Sequence, residues 1–395
     1  MHIIISEIKS EGVIFMKAIV NGRILMPDRM VDNMALVFDE RICGLVKPGE
    51  LPAGAETIDA RGLYVSPGLV DIHIHGYLGE DASDGDADGI RKMARGIIRN
   101  GVTSWCPTTM TVAKDQLCAV FDMMRGLREE SRQPGFGGAE ILGVHAEGPF
   151  INATRKGAQN AEHILLPDAG FVLDFADILR VVTVAPEVEG AMAFIEEIAR
   201  KTRILLSMGH TDASFETAVQ AVWQGIGHST HTFNAMTPLN HRMPGVVCAA
   251  LTAPVTAELI ADTIHVHPGL FPLMAKAKGD KLVLITDCTR PAGLQDGVYD
   301  LGGLDVYVNG KECRLADGTL AGSVLRFNEA VANMRAHTDL PLWEAVNMAS
   351  RNPANAVGET RKGTLEEGKD ADIILCDETF TPCGAILRGE TVFAS

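Results

Sequence analysis

Residues 70–76 read Val-Asp-Ile-His-Ile-His-Gly. Side chains on an extended strand alternate with a period of two, so His73 and His75 project to one side. Two neutral imidazoles side by side at a strand end make half a site for a divalent cation. Further apolar runs also end in groups that bind metals. Residues 141–144 lead into His145-Ala146-Glu147-Gly148-Pro149, and residues 204–206 into Met208-Gly209-His210-Thr211-Asp212. Gly225-Ile226-Gly227 precedes His228-Ser229-Thr230-His231, and residues 282–285 precede Thr286-Asp287-Cys288. One histidine at a strand end is ordinary. Five strand ends offering His-x-His, Glu, His, His and Asp in turn are hard to assign to chance.

These groups need a frame that gathers strand ends. From about residue 63 apolar strand-like runs alternate with amphipathic helices. Strands are predicted over 141–145, 181–184, 204–207, 255–260 and 282–286. Helices are predicted over 90–100, 114–130, 191–201, 214–224 and 327–336. Continuous apolar runs suit strands buried on both faces, as in parallel sheets. Repeated βα units over this length predict a (β/α)8 barrel across 63–358, whose catalytic groups come from the ends of several strands. A doubly wound open sheet is the rival fold, but no Gly-x-Gly-x-x-Gly follows a strand. Residues 16–62 read as short strands at 17–20, 34–38 and 41–46, with Asn21-Gly22 as a hairpin turn signal. The same style returns after 358, with strands at 373–376 and 385–387. Residues 1–62 and 359–395 are therefore expected to pair as one accessory β-sandwich, with 1–15 a possible extension of no assigned role.

The totals restrict the function classes. The chain has 395 residues and a formal net charge of −16. That balance argues against nucleic acid or an anionic membrane as partner. It does not forbid an anionic small substrate met by a local arginine. No apolar stretch reaches the ~20 residues of a membrane span, and Glu7 and Lys9 break the apolar start, which makes a poor signal peptide. The eight cysteines form no Cys-x-x-Cys pair. They read as reduced buried thiols, Cys288 included, and point to the cytoplasm.

The order His73-x-His75, Glu147, His210, His231, Asp287 resembles the amidohydrolase superfamily. Within it, the chain is similar to the N-acetylglucosamine-6-phosphate deacetylase family from about Met16 to the C-terminus. The words that carry the likeness are His145-Ala146-Glu147-Gly148-Pro149-Phe150, Gly209-His210-Thr211 and His231-Thr232-Phe233-Asn234-Ala235-Met236. Arg242-x-Pro244-Gly245, Ala261-Asp262-x-x-His265 and Leu320-Ala321-Gly322-Ser323 extend it. The resemblance implies a metal-dependent amide hydrolase that converts N-acetyl-D-glucosamine 6-phosphate into D-glucosamine 6-phosphate and acetate. His210 and His231 would hold one ion with Glu147, and His73 and His75 a second with Glu147 and Asp287. Imidazole and carboxylate suit Zn, Fe, Co or Mn, one or two ions per subunit. Attack would come from hydroxide held on the metal. Asp287 would act as general base and then acid; its rival roles are simple ligand or helix cap.

Substrate contacts are likewise implied at Ala158, Gln159, Asn234, Ala235, Asp262, His265, Leu320, Ala321 and Gly322. Some relatives carry at the position of Gln159 a histidine that assists the substrate carbonyl. Arg242 would reach the phosphate from a neighbouring subunit, which implies a homodimer; its rival role is a solvated surface charge. An epimeric sugar phosphate such as N-acetylgalactosamine 6-phosphate is the alternative substrate. A cyclic-amide hydrolase is a further alternative, though that type usually bridges its ions with a lysine, and a non-catalytic scaffold is another. His265-Val266-His267 is not read as a metal site, because no other ligand accompanies it. His145 and His228 are expected to support the ligands by hydrogen bonds.

Overall fold

The computed structural model describes residues 16–394. The extension proposed at 1–15 lies outside them. Eight parallel strands form the barrel: β1 (Leu69–Ile74), β2 (Val102–Thr109), β3 (Val144–Phe150), β4 (Leu179–Val184), β5 (Leu205–Met208), β6 (His228–Ser229), β7 (Thr256–Ile260) and β8 (Leu282–Ile285). Neighbours from β1 to β8 pair in chain order. The seam between β8 and β1 closes differently, and only at its C-terminal end. There the Asp287 N–H donates to His73 O (2.9 Å) and the His75 N–H to Cys288 O (2.9 Å). Deeper in the seam the Asp71 carboxylate takes the place of a ladder. It accepts from the Thr286 hydroxyl (2.7 Å) and from the His73 N–H (3.3 Å). Burial pushes the Asp71 carboxyl up to about 7.

Helices cover the barrel with their apolar faces inward. Ala87–Ile97 starts on the Asp86 side chain, which accepts the Asp88 N–H, and buries Ile90, Met93, Ala94 and Ile97. Lys114–Ser131, Ala191–Lys201, Phe215–Gln224 and Phe327–His337 follow the predicted periodicity, and Ser214 caps Phe215–Gln224 through the Thr217 N–H. The polypeptide near residue 141 departs from expectation. Glu140–Ile141 is a two-residue strand beside Ser104 and Trp105, and β3 begins only at Val144. Glu147 therefore lies within β3 rather than after it.

Two further sheets share an apolar core of Ile19, Ile24, Leu36, Phe38, Ile42, Val65, Leu365, Ile373 and Ile386. One runs Ile42–Val46, Ala35–Phe38, Lys17–Val20, Glu56–Asp59. The other runs Glu390–Ala394, Pro382–Leu387, Ile373–Cys376, Tyr64–Pro67, Arg23–Met26, Arg29–Val31. Both chain ends thus build a sandwich, and Tyr64–Pro67 pairs there rather than in the barrel. The hairpin expected at Asn21-Gly22 does not form: Lys17–Val20 pairs in the first sheet and Arg23–Met26 in the second. Asn21 still adopts φ 56°, as a tight turn requires, but the turn carries the chain across the core. Gly22 sits against the Val65 side chain, where a Cβ has no room.

A buried ion cluster joins the sandwich to the barrel. Lys362 Nζ lies 2.7 Å from Glu140, 3.0 Å from Asp370 and 2.8 Å from Asp372. Burial alone would raise the Glu140 carboxyl, but Lys362, Arg132 and Arg388 outweigh it and hold it below the usual range. Its stabilising contribution is therefore complete above the ordinary glutamate pKa and is lost as pH falls through the lowered value. Lys362→Met strands three buried carboxylates and is expected to cost about 3–5 kcal/mol. Urea unfolding at neutral pH checks this, and a loss under 1 kcal/mol would contradict it.

Candidate metal centre

The C-terminal ends of β1, β3, β5, β6 and β8 bring the six predicted ligands together. Glu147 Oε1 lies 2.9 Å from His231 Nε2, 3.3 Å from His210 Nε2 and 3.2 Å from His73 Nε2. Glu147 Oε2 lies 3.2 Å from His75 Nε2. Asp287 Oδ1 is 3.4 Å from His73 Nε2 and 3.3 Å from His75 Nε2. His210 and His231 point their Nε2 atoms at each other across 3.1 Å. Three of these ligands carry left-handed backbones: His210 (φ 47°), His231 (φ 27°) and Asp287 (φ 50°). Such strained residues persist where the surroundings over-determine them, and they cluster at functional sites.

The outer ring nitrogens decide what these contacts mean. His73 Nδ1 donates to Glu258 Oε2 (2.9 Å), His75 Nδ1 to Thr108 O (3.2 Å) and His210 Nδ1 to Arg155 O (2.9 Å). A carbonyl oxygen only accepts, so in the neutral tautomer the Nε2 of His75 and of His210 bears a lone pair. Several lone pairs and two carboxylates then converge on one small volume, and only a cation reconciles them. Donors around one tetrahedral zinc-like ion sit roughly 3.3–3.5 Å apart, given bonds of about 2.0–2.1 Å. The observed spacings match this within a few tenths of an ångström. The residues fit two adjoining cation sites, one of Glu147, His210 and His231 and one of His73, His75 and Asp287.

The charges agree. Burial opposes protonation of His73, yet Glu258, Glu147 and Asp287 outweigh it and hold that ring well above its ordinary range. His75 is pushed up to about 9, with burial opposing and Asp287 and Glu147 prevailing. Protons and a divalent cation thus compete for the same nitrogens. Glu147 is held well below the carboxylate range, because His73 and His210 outweigh its burial. Asp287 is also lowered, since His73 and His75 overcome burial. An ionised carboxylate at this position can accept a proton.

Glu258 was not legible as part of the site. It is fully buried in β7 and grips three histidines. Its oxygens take His73 Nδ1 (2.9 Å), His228 Nε2 (3.0 Å) and the His231 backbone N–H (2.8 Å). Its only sequence signal is a carboxylate inside the apolar run 255–260. Groups that orient a metal's histidines typically contribute 10–100-fold to affinity or activity. Glu258→Gln is therefore expected to weaken metal binding by about 10–100-fold. A chelator competition titration reads this directly, and unchanged affinity would contradict it. His145 supports from the other side. Its ring lies edge-on to His73 at 4.5 Å and bonds Ile72 O (3.1 Å) and Thr183 Oγ1 (2.8 Å). Burial drives it down to about 3, so it is neutral.

His75, Glu147, His210, His231 and Asp287 floor a cavity of about 450 Å³, with His73 buried beneath it. Ala158, Gln159, Asn234, Ala235, His265, Leu320 and Gly322 line it, as expected, and Arg155, Thr289, Leu301 and Arg314 join them. Two expected contacts are placed elsewhere, and Arg242, expected at a neighbouring subunit's site, also lies outside this cavity. Asp262 does not reach the cavity; its Oδ2 holds His265 Nδ1 at 2.6 Å. Ala321 is fully buried, with its N–H on Cys313 O. Arg242 is exposed and lines a separate cavity with Arg155, Asp212 and Met243. Leu301 and Arg314 come from a three-stranded sheet, Gly297–Leu301, Leu304–Asn309 and Glu312–Leu315, that the sequence reading missed.

The amidohydrolase family profile matches residues 64–392. The chain is 38% identical over 331 residues to an N-acetylglucosamine-6-phosphate deacetylase of Lysinibacillus sphaericus, covering 82% of this chain and 84% of that one. It is 34% identical over 367 residues to an N-acetylgalactosamine-6-phosphate deacetylase of Escherichia coli O157:H7, covering 90% and 93%. The crystal structure of N-acetylglucosamine-6-phosphate deacetylase from Pasteurella multocida superposes with a TM-score of 0.91 at 30% identity, covering 96% of this chain and all of that one. Ligand set, barrel and relatives agree: the chain belongs to the amidohydrolase superfamily and, within it, to the N-acetylglucosamine-6-phosphate deacetylase family.

Proposed function

We propose that this protein hydrolyses the acetamide of N-acetyl-D-glucosamine 6-phosphate, releasing D-glucosamine 6-phosphate and acetate. The observation that carries the reading is the convergence of His75, Glu147, His210, His231 and Asp287 on the floor of a cavity that Asn234, His265 and Leu320 also line, with His73 buried directly against them. The names of the relatives support the substrate. Divalent metal bound by these six residues, one or two ions of Zn, Fe, Co or Mn, supplies Lewis-acid activation of water and of the amide carbonyl.

The chain's own groups do the rest. Asp287 faces the cavity as a carboxylate, takes a proton from the attacking water, and returns it to the departing amine nitrogen. His265, braced by Asp262, and Asn234, tied to His231 O (3.1 Å), form the wall on which the sugar is held. Arg155, paired with Asp212, and Arg314, paired with Glu312, stand at the cavity wall and would turn to the phosphate from those pairs.

A homodimer completes this reading. Arg242 stands outside its own subunit's cavity, beside the exposed apolar side chains of Met243 and Leu239. A patch of this kind suits a second copy of the chain, in whose site Arg242 would meet the phosphate. A cytoplasmic location fits the free buried thiols of Cys106, Cys288, Cys313 and Cys376, and no described helix is long and apolar enough to cross a membrane.

Acetate release tests the reading. Metal-loaded protein should release acetate from N-acetylglucosamine 6-phosphate in preference to the galactosamine epimer and the unphosphorylated sugar, and chelation should stop it. Preference for the epimer would change the substrate. No release from any of the three would refute the deacetylase reading.

A further inference from the structure

Gln159 lines the cavity beside the candidate ligands, yet its carboxamide is engaged elsewhere. The side chain is 2% exposed. Its Oε1 accepts the Thr111 backbone N–H at 2.6 Å, and its Nε2 donates to Glu147 Oε2 at 2.6 Å. The backbone N–H can only donate, which fixes the orientation of the amide and turns Nε2 toward the carboxylate. The partner loop is held in turn. Thr111 Oγ1 donates to Glu147 O (3.3 Å), and Gly148 at φ 95° lets β3 run so close to Thr111 that a Cβ there would collide. Thr111, Gln159 and Glu147 thus form one rigid chain of hydrogen bonds.

The two oxygens of Glu147 are not equivalent. Oε1 faces His231, His210 and His73, whereas Oε2 faces His75 and Gln159. Oε1 is pinned by several partners and holds its place without Gln159. Oε2 has one ring nitrogen and the amide, so removing the amide lets the carboxylate tilt about its pinned Oε1 and carry Oε2 away from His75.

We infer that Gln159 is a positioning residue that fixes Glu147 Oε2 toward His75 and thereby sets the affinity of the His73–His75–Asp287 cation site selectively. The inference rests on the two-site reading of the metal centre. It also accounts for the cavity chemistry: with Gln159 committed to Glu147, one N–H alone is left to face a substrate.

The test titrates metal-free wild type and Gln159→Leu with Zn²⁺ against a chromophoric chelator, alongside kinetics with N-acetylglucosamine 6-phosphate. Wild type is expected to bind two ions. Gln159→Leu should keep one at wild-type affinity and bind the other about 10–100-fold more weakly. Its kcat should recover as Zn²⁺ is raised, with KM unchanged. Gln159→Met, of similar length and volume but without the amide N–H, should show the same selective loss, which a packing defect would not do. Equal weakening of both ions, unchanged or tighter binding, or a rise in KM with normal metal titration would each overturn the inference. A wild type that binds ions but releases no acetate would instead sink the deacetylase reading and leave the metal titration to judge Gln159.

Discussion

Asp287→Asn is expected to lower kcat by about 10²–10⁴-fold, the usual range for a positioned proton-transfer group. The carboxylate lies 3.3–3.4 Å from the His73 and His75 nitrogens and opens onto the cavity. His73 and His75 keep it ionised despite burial, so it can take a proton from water at neutral pH. An asparagine keeps the size and one coordinating oxygen but has no basic site. The ligand and base roles therefore separate. If Asp287 moves protons, the variant keeps most of its metal and a near-normal KM while kcat collapses. If it merely ligates, metal content falls with kcat, and added metal restores both. Full turnover in the variant would remove Asp287 from the mechanism altogether.

Glu147→Gln should lose both cation sites, because a single carboxylate faces His73, His75, His210 and His231 within 3.3 Å. The substitution deletes the one negative charge shared by the two donor sets. Removing the Lewis acid and water activation together is expected to cost about 4 kcal/mol or more, some 10³-fold in kcat/KM. Elemental analysis after dialysis should find well under one ion per chain, at a concentration where the wild type is loaded. A variant that stays fully metallated would show that Glu147 supports the centre from outside. The melting profile keeps the outcome readable, since a folded, metal-free variant isolates ligation from folding.

The residues that do chemistry were legible because a parallel barrel gathers strand ends. Each of His73, His75, Glu147, His210 and Asp287 sits within or just beyond a strand whose apolar run announces it, whereas His231 follows a two-residue strand, His228–Ser229, with no such run. Their supports were not legible. Glu258 looks like a stray charge in a strand, and its role depends on His73, His228 and His231 arriving from two other strands. Gln159 reads as loop polarity until Thr111 and Glu147 are placed beside it. The turn at Asn21-Gly22 has the local chemistry of a hairpin, yet strand partners are chosen by burial across the whole molecule. Ile19 and Ile24 are better buried facing one another from two sheets than side by side in one. Tyr64–Pro67 carries the apolar character of a barrel strand for the same reason: both of its faces are covered, Val65 by the sandwich core and Tyr64 by the main core.

The join between the first and last barrel strands has a thermodynamic consequence. Its main-chain bonds run from Asp287 to His73 and from His75 and Gly76 to Cys288, and three of these residues, His73, His75 and Asp287, also form one candidate cation site. Fastening the ring and loading the ion are therefore one event. Metal acts as a clasp on the cylinder, adding about 2.7 kcal/mol of resistance to unfolding at a free concentration one hundred times its dissociation constant. The melting temperature should fall when chelator is added, with backbone amides at this join the first to exchange. Where metal is scarce, such an enzyme would lose its staves at the very edge where it works.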